Sequence, residues 1–126
     1  MKQVYLDTNV IISFLIDRNQ EQTGVIQEQF QLAKQGKQQL FLLTEVVVEV
    51  VYILLLLKQT HAQTTQKLLT ILKTNYIFIP EREAIIIALG IFAEKRIDMV
   101  DCLLYAKAKL TFGQVFSFDS DFKKLG

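Results

Sequence analysis

The sequence is poor in the residues that would tie it to a secreted or membrane-bound setting. It holds a single cysteine, Cys102, so no internal disulfide can form, which fits a reducing compartment. The N-terminus runs from MKQ straight into VYLD, without the apolar stretch or cleavage site of a secretory signal. The longest apolar run, residues 50–57, is far below the roughly 20 residues that span a bilayer. The expectation is a cytoplasmic protein with no membrane partner. Charge of one sign is missing as well. A formal net charge of +1 gives no bulk basic footprint from which nucleic-acid binding could be read. There is no repeat, no Gly/Ser linker and no low-complexity block. The glutamines of residues 20–39 alternate with apolar residues at helical spacing and read as a solvated helix face. The only histidine, His61, follows Thr60 at a helix start and reads as a surface or capping residue.

What is present is an apolar half of the composition, enough for a sizeable core in one domain spanning residues 1–126. Four short apolar segments read as strands: 3–6 (QVYL), 40–43 (LFLL), 76–79 (YIFI, closed by Pro80) and 115–118 (VFSF). Helical periodicity covers 9–17, 23–35 with Gly36 as C-cap, 45–58, 62–74, 81–96 and 99–110. A short last strand or helix can follow Asp121. The alternation predicts an α/β fold, a three-layer α/β/α sandwich with a short, mainly parallel sheet of four to five strands. In such sheets ligands sit beyond the carboxyl ends of the strands. Asp7 directly follows the first strand and Asp119 the last, so neighbouring strands would put two carboxylates side by side.

TEVVVEVVYILLLLK, residues 44–58, carries Glu49 inside an apolar run. A carboxylate removed from water without a partner is very costly, so Glu49 either faces solvent from a narrow polar stripe or meets a cation. Asp101 lies near the start of the helix at 99–110. Four acids, Asp7, Glu49, Asp101 and Asp119, could then converge from distant parts of the chain. Such a group needs cations, since like charges within a few Å disfavour one another. Oxygen ligands without His or Cys suit Mg²⁺ or Mn²⁺ rather than zinc.

The pattern resembles a known family. VYLDTNVIISFL is similar to the opening of PIN-domain nucleases, a strand, an aspartate, a small polar residue and a helix. TEVVVEVVYIL resembles the family's second acidic segment, RIDMVDCLLYAKA its third and VFSFDSDFKKL its fourth, in the right order. The short chain resembles VapC-like toxins of toxin–antitoxin pairs. The resemblance implies a Mg²⁺- or Mn²⁺-dependent endoribonuclease with Asp7, Glu49, Asp101 and Asp119 as catalytic metal ligands. It also implies Asn9 and Ser117 as supporting hydrogen-bonding residues, and an antitoxin protein as partner.

Each assignment has a competitor. Asp7 can serve as a helix N-cap; Thr8 is a weaker candidate for the supporting role, or simply caps the same helix. Glu45, four residues before Glu49, shares its face but already suits the helix dipole. Asp98 reads as an N-cap with Asp101 reaching back in a capping-box-like pair, and as a weaker ligand candidate; Asp121 is either a ligand or a loop residue. Cys102 reads as core, and Gly90 as permitting a close helix approach. Of the surface lysines and arginines, none is assigned to phosphate. The apolar excess of residues 46–58 and 84–93 predicts a homodimer and a groove for an amphipathic helix from a partner. A non-catalytic PIN-like module that binds RNA or protein is the alternative to the nuclease. A receiver-type domain is disfavoured because Asn9 stands where a second acid would be needed.

Overall fold

The computed structural model describes residues 1–125. Three strands, β1 (Lys2–Tyr5), β2 (Gln38–Phe41) and β3 (Ile77–Phe78), form a parallel sheet in the order β1-β2-β3. Two helices connect each strand to the next: α1 (Thr8–Ile16) and α2 (Gln20–Lys34), then α3 (Thr44–Leu56) and α4 (His61–Leu72). After β3 come α5 (Arg82–Lys95), α6 (Met99–Leu110) and a 3₁₀ turn at Ser120–Lys124. The predicted α/β class with a parallel sheet holds.

One face of the sheet builds the core. Val4, Leu40 and Ile77 are in register, and period-two alternation puts Leu6, Leu42 and Ile79 on the same side. Leu40 and Leu42 have no exposed surface. From α3, Val47, Val50, Val51 and Leu54 are fully buried at helical spacing. Burying each such side chain contributes roughly 1.5–3 kcal/mol. Local chemistry sets the ends. Gly36 takes a positive φ of 74° after α2, with Lys37 N–H donating to Leu32 and Gly36 N–H to Ala33, which closes the helix in a Schellman turn. Thr60 and Gln63 form a capping box that starts α4. The Arg82 guanidinium donates to the carbonyls of Leu72, Thr74 and Ile77, pinning the end of α4 and the start of β3 to α5.

Two expectations about the sheet are corrected. Among the described residues it has three strands, not four or five. Residues 115–118 make no ladder, and Phe116 and Phe118 are 90% and 97% exposed. The two rings meet each other edge-on at 5.7 Å instead of a neighbouring strand. Strand-forming residues without a paired edge or a packing face do not make a strand. Coverage on both faces is also incomplete. Tyr5, Phe41 and Phe78 form a cross-strand aromatic ladder on the second face, at 4.7 and 5.2 Å, and only Phe41 is buried.

Gly90 is corrected too. It lies within α5, and a Cβ built there meets nothing within 4 Å, so no close helix approach requires it. Gly90→Ala should therefore raise stability by about 0.5–1 kcal/mol through helix propensity alone. A thermal melt that moves down instead would reveal a contact at this position.

Candidate functional site

The sheet's carboxyl edge is where α1 and α3 begin. Asp7 is the N-cap of α1, and its side chain makes no capping bond, so the exposed carboxylate is left available. The next residue, Thr8, is buried and donates from Oγ1 to Glu49 Oε2 at 3.1 Å. This bond ties α1 to α3 and orients Glu49 beside the start of α1. Glu49 itself is exposed, in a stripe with Glu45, Tyr52 and Leu56. It is therefore not a buried charge. It looked buried because Tyr52 and Leu56, on the same stripe, are apolar.

One turn beyond Glu49, the Tyr52 hydroxyl lies 3.5 Å from Asp98 Oδ1, a long contact that links α3 to the start of α6. Asp98 is the N-cap of α6 but makes no side-chain capping bond, so the predicted capping box with Asp101 is absent. Both carboxylates remain free of the helix end.

The closest gathering of acids is Asp101, Asp119 and Asp121, each offering an oxygen within 4.8 Å of the others. Ser117 and Asp119 organise this segment. Ser117 Oγ accepts the Asp119 N–H and Asp119 Oδ1 accepts the Asp121 N–H, both at 2.9 Å. Burial, together with Asp119, Asp98 and Asp121, pushes the Asp101 carboxyl above its ordinary range. Burial first, then the charge and hydrogen bond of Asp98 and the charge of Asp101, raise the Tyr52 phenol. Lys124 Nζ sits 3.2 Å from Asp121, a cation already drawn to the cluster. The donor set is all oxygen, with no His or Cys, and it is crowded with like charge. It fits a hard divalent ion.

The structure thus joins Asp101 to Asp119 and to Asp121, which the sequence ranked lower. Glu49 is bonded to Thr8, the neighbour of Asp7, and Asp98 lies near Asp101, but neither Asp7 nor Glu49 belongs to the cluster of Asp101, Asp119 and Asp121. Glu45 is exposed in the first turn of α3, and Asn9 is exposed two residues beyond Asp7. Tyr52 and the Thr8–Glu49 bond were missed, since both depend on helix packing that no local pattern signals. Also missed was Glu81, which follows β3 at the same sheet edge. It accepts a hydrogen bond from Thr44 and pairs with Lys107 at 2.8 Å, and Lys107 first, then Thr44, holds its carboxyl below the ordinary range. A strand followed by Pro and Glu was its only sequence signal. His61 stacks on Phe92 at 4.4 Å, and Cys102 is buried with its thiol pushed up to about 11.

A short parallel sheet with pairs of helices between its strands, Asp7 at the end of β1 and a cluster of carboxylates between α6 and the last turn define an α/β domain with an acidic cluster suited to divalent ions. The PIN domain family matches residues 4–126, and the chain belongs to that family. It is similar to the VapC ribonuclease of Aquifex aeolicus (strain VF5), 31% identical over 123 residues, which are 96% of this chain and 90% of that protein. No solved structure matches the chain.

The raised Asp101 carboxyl fixes the sign of a pH effect. A folded-state pKa above the unfolded value means the charged form is destabilised in the fold, so that cost is present at neutral pH and vanishes as pH falls through the raised value. Without divalent ions, Asp101→Asn should be more stable than the wild type at pH 7. The gap should close as pH is lowered through the carboxylate range; urea melts at a series of pH values check this, and a gap that widens on acidification contradicts it.

Proposed function

We propose that this chain, as a single nuclease domain over residues 1–126, is a metal-dependent endoribonuclease that acts in the cytoplasm as the toxin of a toxin–antitoxin pair. The observation that carries the reading is the crowding of Asp101, Asp119 and Asp121, with α3 bonded through Glu49 to Thr8 and reaching Asp98 through Tyr52. The likeness to a VapC ribonuclease over nearly the whole chain supports the same reading.

Asp7, Glu49, Asp101 and Asp119 would be the catalytic residues and would hold Mg²⁺ or Mn²⁺. A bound divalent ion supplies a polarised phosphate and a water of lowered pKa. The chain's own part is positional. Thr8 holds one Glu49 oxygen, and the other would be the one offered to the ion. Ser117 fixes the main chain at Asp119, so that carboxylate is delivered from a constrained turn. Asp98 and Asp121 add negative charge around Asp101 and raise the site's demand for a cation. Asn9 supports the outer edge next to Asp7. Glu45 stays at the rim. Lys107 is engaged by Glu81, which leaves it outside phosphate binding.

Wild-type protein with Mn²⁺ should cleave single-stranded RNA. Asp7→Asn and Asp101→Asn should each lower the rate by about 10²-fold or more, while the melting temperature stays at or above the wild-type value. Intact RNA after long incubation would contradict the reading and favour a binding module, and so would cleavage undiminished by these substitutions. Cleavage should stop when the cognate antitoxin is added; cutting by the bound pair would contradict the toxin assignment.

The exposed apolar residues support a homodimer. Tyr52 and Leu56 on α3, and Val100 and Leu104 on α6, stay exposed, Leu56 by 78%. Ile86 and Ile87 on α5 remain for an amphipathic helix of the antitoxin. Light scattering should give twice the chain mass, and a monomer at high concentration would contradict the dimer.

A further inference from the structure

α1 and α2 line a cleft of about 650 Å³. Asn9 lines it, so the cleft reaches the first turn of α1, the helix that Asp7 caps. Its walls combine Val10 and Val25 with the polar side chains of Ser13, Gln22 and Arg18. Ser13 is 3% exposed, and its hydroxyl bonds one end of the Gln22 amide at 3.1 Å. That fixes the amide plane and leaves its other end with no partner among the described residues. Arg18 makes no ion pair among the described residues, and Glu21 lines the same cleft, so the lining is balanced in charge.

Balanced charge, an aliphatic wall and a held amide do not suit a bare phosphate, which needs net positive charge. They suit a neutral planar group with hydrogen-bonding edges. We infer that this cleft receives one unstacked nucleobase of the RNA substrate. The base lies against Val10 and Val25, Gln22 offers its free amide end to the base edge, and Arg18 faces the ribose-phosphate or the base plane. Single-stranded RNA is read in this way, by splaying a base into a pocket and bonding its edge. The inference rests on the ribonuclease reading and adds the group that would set its sequence preference.

The test measures fluorescence anisotropy of labelled single-stranded RNA on Asp7→Asn protein, which should not cut. The same RNA length with abasic sites serves as control. Two changes are added separately: Gln22→Ala, and Val25→Trp to fill the cleft from an exposed helical position. Each should weaken binding of base-bearing RNA by about tenfold, the scale of one good base contact, and leave abasic RNA unaffected. Should Val25→Trp fail to fold, Gln22→Ala carries the test. Equal loss on both RNAs, or no loss on either, overturns the inference; no loss would leave the cleft to a protein ligand. Wild-type protein that binds in this base-dependent way but cuts nothing would overturn the nuclease reading and keep the cleft. Wild-type protein that cuts, with variants indifferent to the base, would overturn the cleft alone.

Discussion

The arrangement turns on repulsion among carboxylates. Asp101 arrives on the first turn of α6, and Asp119 and Asp121 arrive on a turn nearly twenty residues later, yet their oxygens lie within 4.8 Å. Like charges at that spacing disfavour the folded state unless a cation joins them. The fold keeps the repulsion and holds it in place. Ser117 and Asp119 lock the turn through two bonds of 2.9 Å, and the Tyr105 hydroxyl donates to the Leu125 carbonyl, fastening the chain's end to α6. A surface free to relax would let these acids drift apart.

Helix α3 does the remaining positioning. Its buried stripe of Val47, Val50, Val51 and Leu54 anchors it in the core. Its exposed stripe then presents Glu49 towards the start of α1 and Tyr52 towards the start of α6. One helix therefore relates the acid after β1 to the acids of α6, although those segments lie some ninety residues apart in the chain.

Much of this was legible from the residues alone. Short apolar runs marked β1, β2 and β3, and 99–110 was read with its observed limits. Asp7 and Asp101 followed from strand and helix starts. Other features escaped for physical reasons. Residues 115–118 have strand composition, but composition does not supply a paired edge. Glu49 was argued from the cost of burial, yet its stripe is exposed; the residue stayed a candidate while the premise failed. Asp121 was ranked low because the tightness of the turn after Ser117 is a matter of backbone geometry. Thr8, Tyr52 and Glu81 act through partners 41, 46 and 37 residues away, and only tertiary packing reveals such pairs.

The most direct measurement is calorimetric titration of Mn²⁺ into wild type, Asp101→Asn and Glu49→Gln. The account predicts a saturable site in the wild type, no measurable binding to Asp101→Asn and weakened binding to Glu49→Gln. Equal binding by all three proteins, or no binding by the wild type, would contradict the claim that the crowded carboxylates exist to hold a cation.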